Sequence, residues 1–200
     1  MAKPKLPGIL TASLAPHVPD ALYVGIDQSY TGTGVVAMNA DGIYEDHTLI
    51  QTSKGITPMD EISRITGIFA GFHEWTNNLA RGRKVCVVME DFAFSQANQM
   101  AALGGLGWHI RIMLSRTPWH FAACGTGTLK KCATGSGNGD KSAVMLGVYK
   151  RWTFENSDNN VCDAYVLSHL SWVLYRRPPM GVNGVKKDDL DCSSKIKVYR

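Results

Sequence analysis

The chain has no run of about 18 apolar residues, so no membrane-spanning helix is expected. Its first ten residues, MAKPKLPGIL, lack the apolar core of a secretory signal, and the chain is read as intracellular. Its five cysteines (Cys86, Cys124, Cys132, Cys162, Cys192) are widely spaced, odd in number and never form C-x-x-C, which argues against a zinc knuckle or a disulfide framework. No internal repeat is visible. Charged residues are only 19% against 44% hydrophobic, so the chain is not intrinsically disordered. At 200 residues it can bury one sizeable core. The net charge of +4 permits a nucleic-acid partner without requiring one.

What is present reads as alternating elements. Residues 1–20 hold four prolines and little periodicity, and are expected to form a loose N-terminal extension. Leu22–Ile26, Thr33–Met38 and Ile43–Ile50 read as three strands of an antiparallel meander, with a turn at Asn39-Ala40-Asp41-Gly42. Thr57 is placed to cap a helix with Pro58 in its first turn and Ile62, Ile65, Phe69, Phe72 and Trp75 on one face. Val85–Met89 is a continuous apolar strand, as for a central strand covered on both faces. A helix over Ser95–Ser115 follows, its apolar line formed by Met100, Leu103, Leu106, Ile110 and Met113. His120–Cys124 is a further strand, Gly125–Gly139 a loop, and Lys141–Trp152 and Val161–Arg176 are helices. Residues 177–200 are expected to be a mobile basic C-terminal tail. This order predicts an α/β domain over 21–176: a mixed five-stranded sheet, antiparallel meander then parallel strands, with helices on both faces.

Three acidic residues stand where chemistry would be placed. Asp27 ends the first strand, Glu90 ends the strand Val85–Met89, and Asp163 lies in the opening turns of the last helix. Carboxylates at neighbouring strand ends converge at one sheet edge, and burying them together is costly without a cation. Hard divalent ions with oxygen ligands answer that cost, and two such ions can clamp a phosphodiester. Each residue also has a plain structural use: Asp27 as a turn former, Glu90 as a surface charge, Asp163 as an acid near a helix N-terminus. Asp91 beside Glu90 adds to an acidic cluster. Only the joint pattern is specific.

The stretches Gly25-Ile26-Asp27-Gln28-Ser29-Tyr30-Thr31-Gly32-Thr33-Gly34, Met89-Glu90-Asp91, Leu129-Lys130-Lys131 followed by Gly135–Lys141, and Asp163-Ala164 carry a resemblance. In order and spacing they resemble the RuvC-type Holliday-junction resolvases of the RNase H-like superfamily, over about three-quarters of the chain. The divergent flanks suggest a bacteriophage-type member. The resemblance implies Asp27, Glu90 and Asp163 as catalytic carboxylates, with Lys141 beside them. It implies a metal set of Asp27, Glu90, Asn160 and Asp163 holding two Mg²⁺ or Mn²⁺ ions. Asn160 departs from the family, which usually has Asp there. A tolerated variant, compensation by Asp158 and an inactivating substitution are all open. Lys130, Lys131 and Lys141 are implied DNA contacts, with solvated loop lysines as the alternative. Phe94, two residues from Phe92, matches an aromatic residue that stacks on junction bases. The implied activity is hydrolysis of branched DNA by a homodimer whose dimer helix is Ser95–Ser115, in the cytoplasm. The alternatives are a junction-binding protein that has lost cleavage, another RNase H-like nuclease acting on flaps or hybrids, and the two-domain sugar-kinase and actin superfamily, whose phosphate loop Gly25–Gly34 also resembles.

Overall fold

The computed structural model describes residues 12–91 and 100–199. Its centre is a six-stranded sheet: β1 (Ala21–Asp27), β2 (Gly32–Met38), β3 (Tyr44–Gln51), β4 (Lys84–Glu90), β5 (His120–Cys124) and β6 (Lys197–Tyr199), in the order β3-β2-β1-β4-β5-β6. The meander β1–β3 is antiparallel, β1, β4 and β5 run parallel, and β6 returns antiparallel on β5. β1 and β2 are buried along their whole length, as expected for interior strands covered on both faces.

One face is covered by α1 (Pro58–Ala80) and α2 (Met100–Leu114). α1 begins with a reciprocal cap: Thr57 Oγ1 accepts from the Asp60 amide at 3.2 Å, and Asp60 Oδ2 from the Thr57 amide at 2.9 Å. Its buried line is Ile68, Phe69 and Phe72, while Ile62, expected on that line, is 55% exposed because it precedes the turn that reaches the sheet. On α2, Leu106, Ile110 and Leu114 are buried against the same layer.

The other face carries α5 (Asn159–Arg176), roofed by α4 (Lys141–Trp152) and α6 (Lys187–Ser193). Val161, Cys162 and then Ala164 through Tyr175 are all buried. A helix apolar all round belongs in an interior, and α5 is sandwiched accordingly.

Several expectations are corrected. The sheet has six strands, not five. Gly125–Thr134, expected as loop, contains the helix α3 (Thr126–Thr134), because Leu129, Cys132 and Ala133 provide a buried face despite the flanking glycines. The expected mobile tail folds back: Val185, Cys192, Ile196 and Val198 are buried, and Asp189, fully buried, takes a two-pronged ion pair from Arg151 at 2.8 and 2.9 Å. Its abundant lysines masked these few inward-facing residues. The expected loose N-terminal extension is also anchored in part, through buried Ala12, Ala15 and Val18. All five cysteines are free and buried. The described strands form a single sheet. None of the described helices is long and apolar enough to cross a membrane.

Candidate active site

β1 and β4 run parallel in register, Ile26 opposite Met89, so Asp27 and Glu90 are the next residues out at the carboxyl end of the two central strands. Strand alternation turns both toward the α5 face. The carboxyl edge of parallel strands is where open α/β sheets place their ligands.

Two glycines bring α5 onto that edge. A Cβ at Gly25 would lie 2.0 Å from the Ala164 carbonyl oxygen and 2.2 Å from the Ser168 amide nitrogen. A Cβ at Gly34 would lie 2.3 Å from the Asn160 carbonyl oxygen. The first turns of α5 therefore rest on bare backbone of β1 and β2, and Asp163, one residue before Ala164, meets the end of β1.

The electrostatics record this convergence. Asp27 is 6% exposed, and its carboxyl is held well above the usual range by burial, then by the charges of Glu90 and Asp163, while Lys141 opposes. A hydrogen bond between the Asp27 and Glu90 side chains raises Asp27 further. Asp163 is pushed up to about 7 by burial and by Glu90, opposed by Lys141 and Lys130. Among the described residues, no three His, Cys, Asp or Glu side chains are closed around one point as a finished metal cage. The donor chemistry nevertheless fits a hard divalent cation: three carboxylates, no soft ligand, and under-compensated negative charge at a buried position.

Two further residues hold Glu90. Thr126, in the first turn of α3, donates to Glu90 Oε1 at 2.6 Å, and Gln28 Nε2 donates to the Glu90 carbonyl oxygen at 2.8 Å. Sequence reasoning misses Thr126 because Gly125–Gly139 reads as loop. Its one sequence signal is a hydroxyl at a helix start soon after a strand end. Gln28 Oε1 is buried without a hydrogen-bond partner.

The remaining expected residues divide. Lys141, exposed at the start of α4, has Nζ 3.2 Å from the Asn159 side-chain amide and acts on both Asp27 and Asp163. Lys130 acts on Asp163. Lys131 sits about 100° further round α3 and acts on Cys192, away from the carboxylates. Asn160 Nδ2 donates to the Gly32 carbonyl at 2.7 Å, so its side-chain amide ties α5 to β2. Asp158 is the N-cap of α5, accepting from the Asn160 amide at 2.8 Å. Asp91 points to the opposite face of the sheet from Glu90 and pairs with Arg111 and Lys197 rather than extending the acidic cluster. Phe92 and Phe94 lie outside the described residues. Thr126 in the first turn of α3, Lys141 in the first turn of α4 and Asp163 in the opening turns of α5 thus all act at this edge.

This sheet order, with an acidic centre between β1, β4 and α5, defines an RNase H-like fold. Within that class the chain is similar to RuvC. It matches the structure of Thermus thermophilus RuvC with a TM-score of 0.63 at 18% identity, covering 89% of this chain and 99% of the other. It matches T. thermophilus RuvC in complex with Holliday junction substrate with a TM-score of 0.62 at 19% identity, covering 90% and 99%. No family model and no curated protein matches the chain.

Proposed function

We propose that the protein is a metal-dependent, structure-selective DNA endonuclease that resolves four-way junctions by paired phosphodiester hydrolysis. The observation that carries this reading is the gathering of Asp27, Glu90 and Asp163 from three separate elements onto one sheet edge, with Lys141 and Lys130 beside them. The RuvC fold, solved elsewhere with a Holliday junction substrate, supports the choice of branched DNA.

Asp27, Glu90 and Asp163 would hold two Mg²⁺ or Mn²⁺ ions, with Asn160 contributing at most a neutral oxygen. When bound, such ions compensate the carboxylate charge, lower the pKa of water and stabilise a leaving oxygen. The protein groups do the positioning. Thr126 fixes one oxygen of Glu90 and so the direction in which its carboxylate points. Asp158 and Asn160 anchor the start of α5, and through it Asp163. Lys141 and Lys130 set positive charge where the scissile phosphate must lie, stabilising charge that builds on its oxygens. Hydrolysis in line would release the 3′ oxygen and leave 5′-phosphate and 3′-hydroxyl ends. Lys130, Lys131, Lys141 and Phe94 are the proposed DNA contacts. A homodimer would match the near two-fold symmetry of a four-way junction. Trp108 and Ile112, one helical turn apart on α2 and 57% and 49% exposed, offer it an apolar face.

The second reading, junction binding without cleavage, is favoured by the engagement of the Asn160 side-chain amide with the Gly32 carbonyl. One assay separates the two: incubation of a synthetic four-way junction with the protein in Mg²⁺ or Mn²⁺. Paired nicks, abolished by Asp27→Asn with junction binding retained, are expected. A gel shift without nicking in either metal, with cleavage gained on Asn160→Asp, would establish the binding reading instead.

A further inference from the structure

Behind the acidic edge, on the opposite face of the sheet, lies a second charged centre. Asp91 follows Glu90 directly, and its amide donates to the Cys124 carbonyl at 2.7 Å, extending the β4–β5 ladder past the last catalytic-edge residue. Strand alternation sends the Glu90 side chain toward α5 and the Asp91 side chain toward α2. There Asp91, 8% exposed, accepts from Arg111 of α2 at 2.8 Å and from Lys197 of β6 at 2.7 Å. Arg111 is 3% exposed and also donates to Tyr199 at 3.3 Å. The three-residue strand β6 is held by its pairing with β5, by buried Val198, and by the ring of Tyr199 stacked on Phe121 at 5.1 Å.

A carboxylate bridged by two cations from different elements is a strong positional constraint, because each charge-assisted bond fixes direction as well as distance. Residue 91 cannot shift without carrying residue 90. A side chain that ligates metal has to be held within a fraction of an ångström of its working position. We propose that the C-terminal strand is part of the catalytic edge: Lys197, with Arg111, grips Asp91 from behind the sheet and thereby positions Glu90. Lys197 is a positioning residue, since its charge reaches the reacting atoms only through Asp91 and the backbone of β4. This inference deepens the nuclease reading and uses it for one of its two readouts.

The test compares wild type with Lys197→Met, which keeps the aliphatic stem, and Lys197→Arg, which restores the charge. The Lys197 side chain is 52% exposed, so neither variant disturbs the core. Single-turnover cleavage of a four-way junction at saturating protein should fall about tenfold in Lys197→Met. Junction affinity in Ca²⁺ should be unchanged, and Lys197→Arg should recover most of the rate. Independently, amide hydrogen exchange at Asp91 should speed up in Lys197→Met and return to the wild-type rate in Lys197→Arg. Unchanged exchange at Asp91, or a cleavage loss that Lys197→Arg fails to restore, would overturn the proposal. A wild-type protein that nicks nothing, with the exchange pattern as expected, would refute the nuclease reading and leave the strut intact.

Discussion

At the scale of single residues, the candidate site is a problem of surplus negative charge. Asp27 and Asp163 both hold their protons more tightly in the folded protein than a free carboxylate does, Asp163 up to about 7. The folded state therefore binds more protons than the unfolded chain between about pH 4 and 7. That part of the stability is present at the acid end and is lost as the pH rises through the folded values. Without divalent metal, the wild type should melt at lower temperature at pH 8 than at pH 5. Asp27→Asn should flatten that slope and raise the pH 8 melting temperature, by about 2–4 °C for each kcal/mol recovered. Mg²⁺ or Mn²⁺ should stabilise the wild type more at pH 8, where the ligands are deprotonated. A melting temperature independent of pH over this range would contradict the strain. Asn160→Asp adds a fourth carboxylate and removes the donor to the Gly32 carbonyl. It should lower the metal-free melting temperature, and calorimetric titration should show tighter Mn²⁺ binding than in wild type.

At the scale of elements, the site depends on how closely one helix approaches two strands. Gly25→Ala places a Cβ against backbone of α5 that cannot swing aside. Overpacking of this kind costs about 3 kcal/mol or more when backbone must move, and the shift carries Asp163 with it. Urea unfolding should show the loss, and junction cleavage should fall further than in Gly67→Ala. Gly67, on the exposed side of α1, has open space where a Cβ would go, with nothing within 4 Å, so Ala there should stabilise by about 1 kcal/mol. The strand and helix order was legible because periodicity, caps and continuous apolar runs are local signals, as at Thr57–Asp60 and Val85–Met89. α3 and β6 were not. α3 is short and flanked by glycines, and β6 is a three-residue edge strand whose partner lies some 75 positions away on β5.

At the scale of the whole molecule, the acidic edge and the exposed Trp108 and Ile112 of α2 lie on different elements. If two copies join through Trp108 and Ile112, then Trp108→Glu with Ile112→Glu should give a monomer by light scattering. Its cleavage of a four-way junction should shift from paired to single nicks, with each nick chemically unchanged. Single-stranded or nicked products from an intact dimer would count against the pairing of sites.

The sequence alone determined the chemistry on offer: three carboxylates at predicted element ends, two lysines in the right stretch, and an α/β order that brings strand ends to a common edge. These follow from local patterning, because propensity, capping and alternation act over a few residues. Tertiary structure decided which of those groups work together. It placed Thr126 on Glu90, turned Lys131 away, used Asn160 and Asp158 to pin α5, and sent Asp91 to the far face with Arg111 and Lys197. Apart from the local Asp158 cap, those outcomes depend on contacts between segments 20 to 128 positions apart, set by sheet register and by glycines whose missing side chains matter only once a helix lies over them.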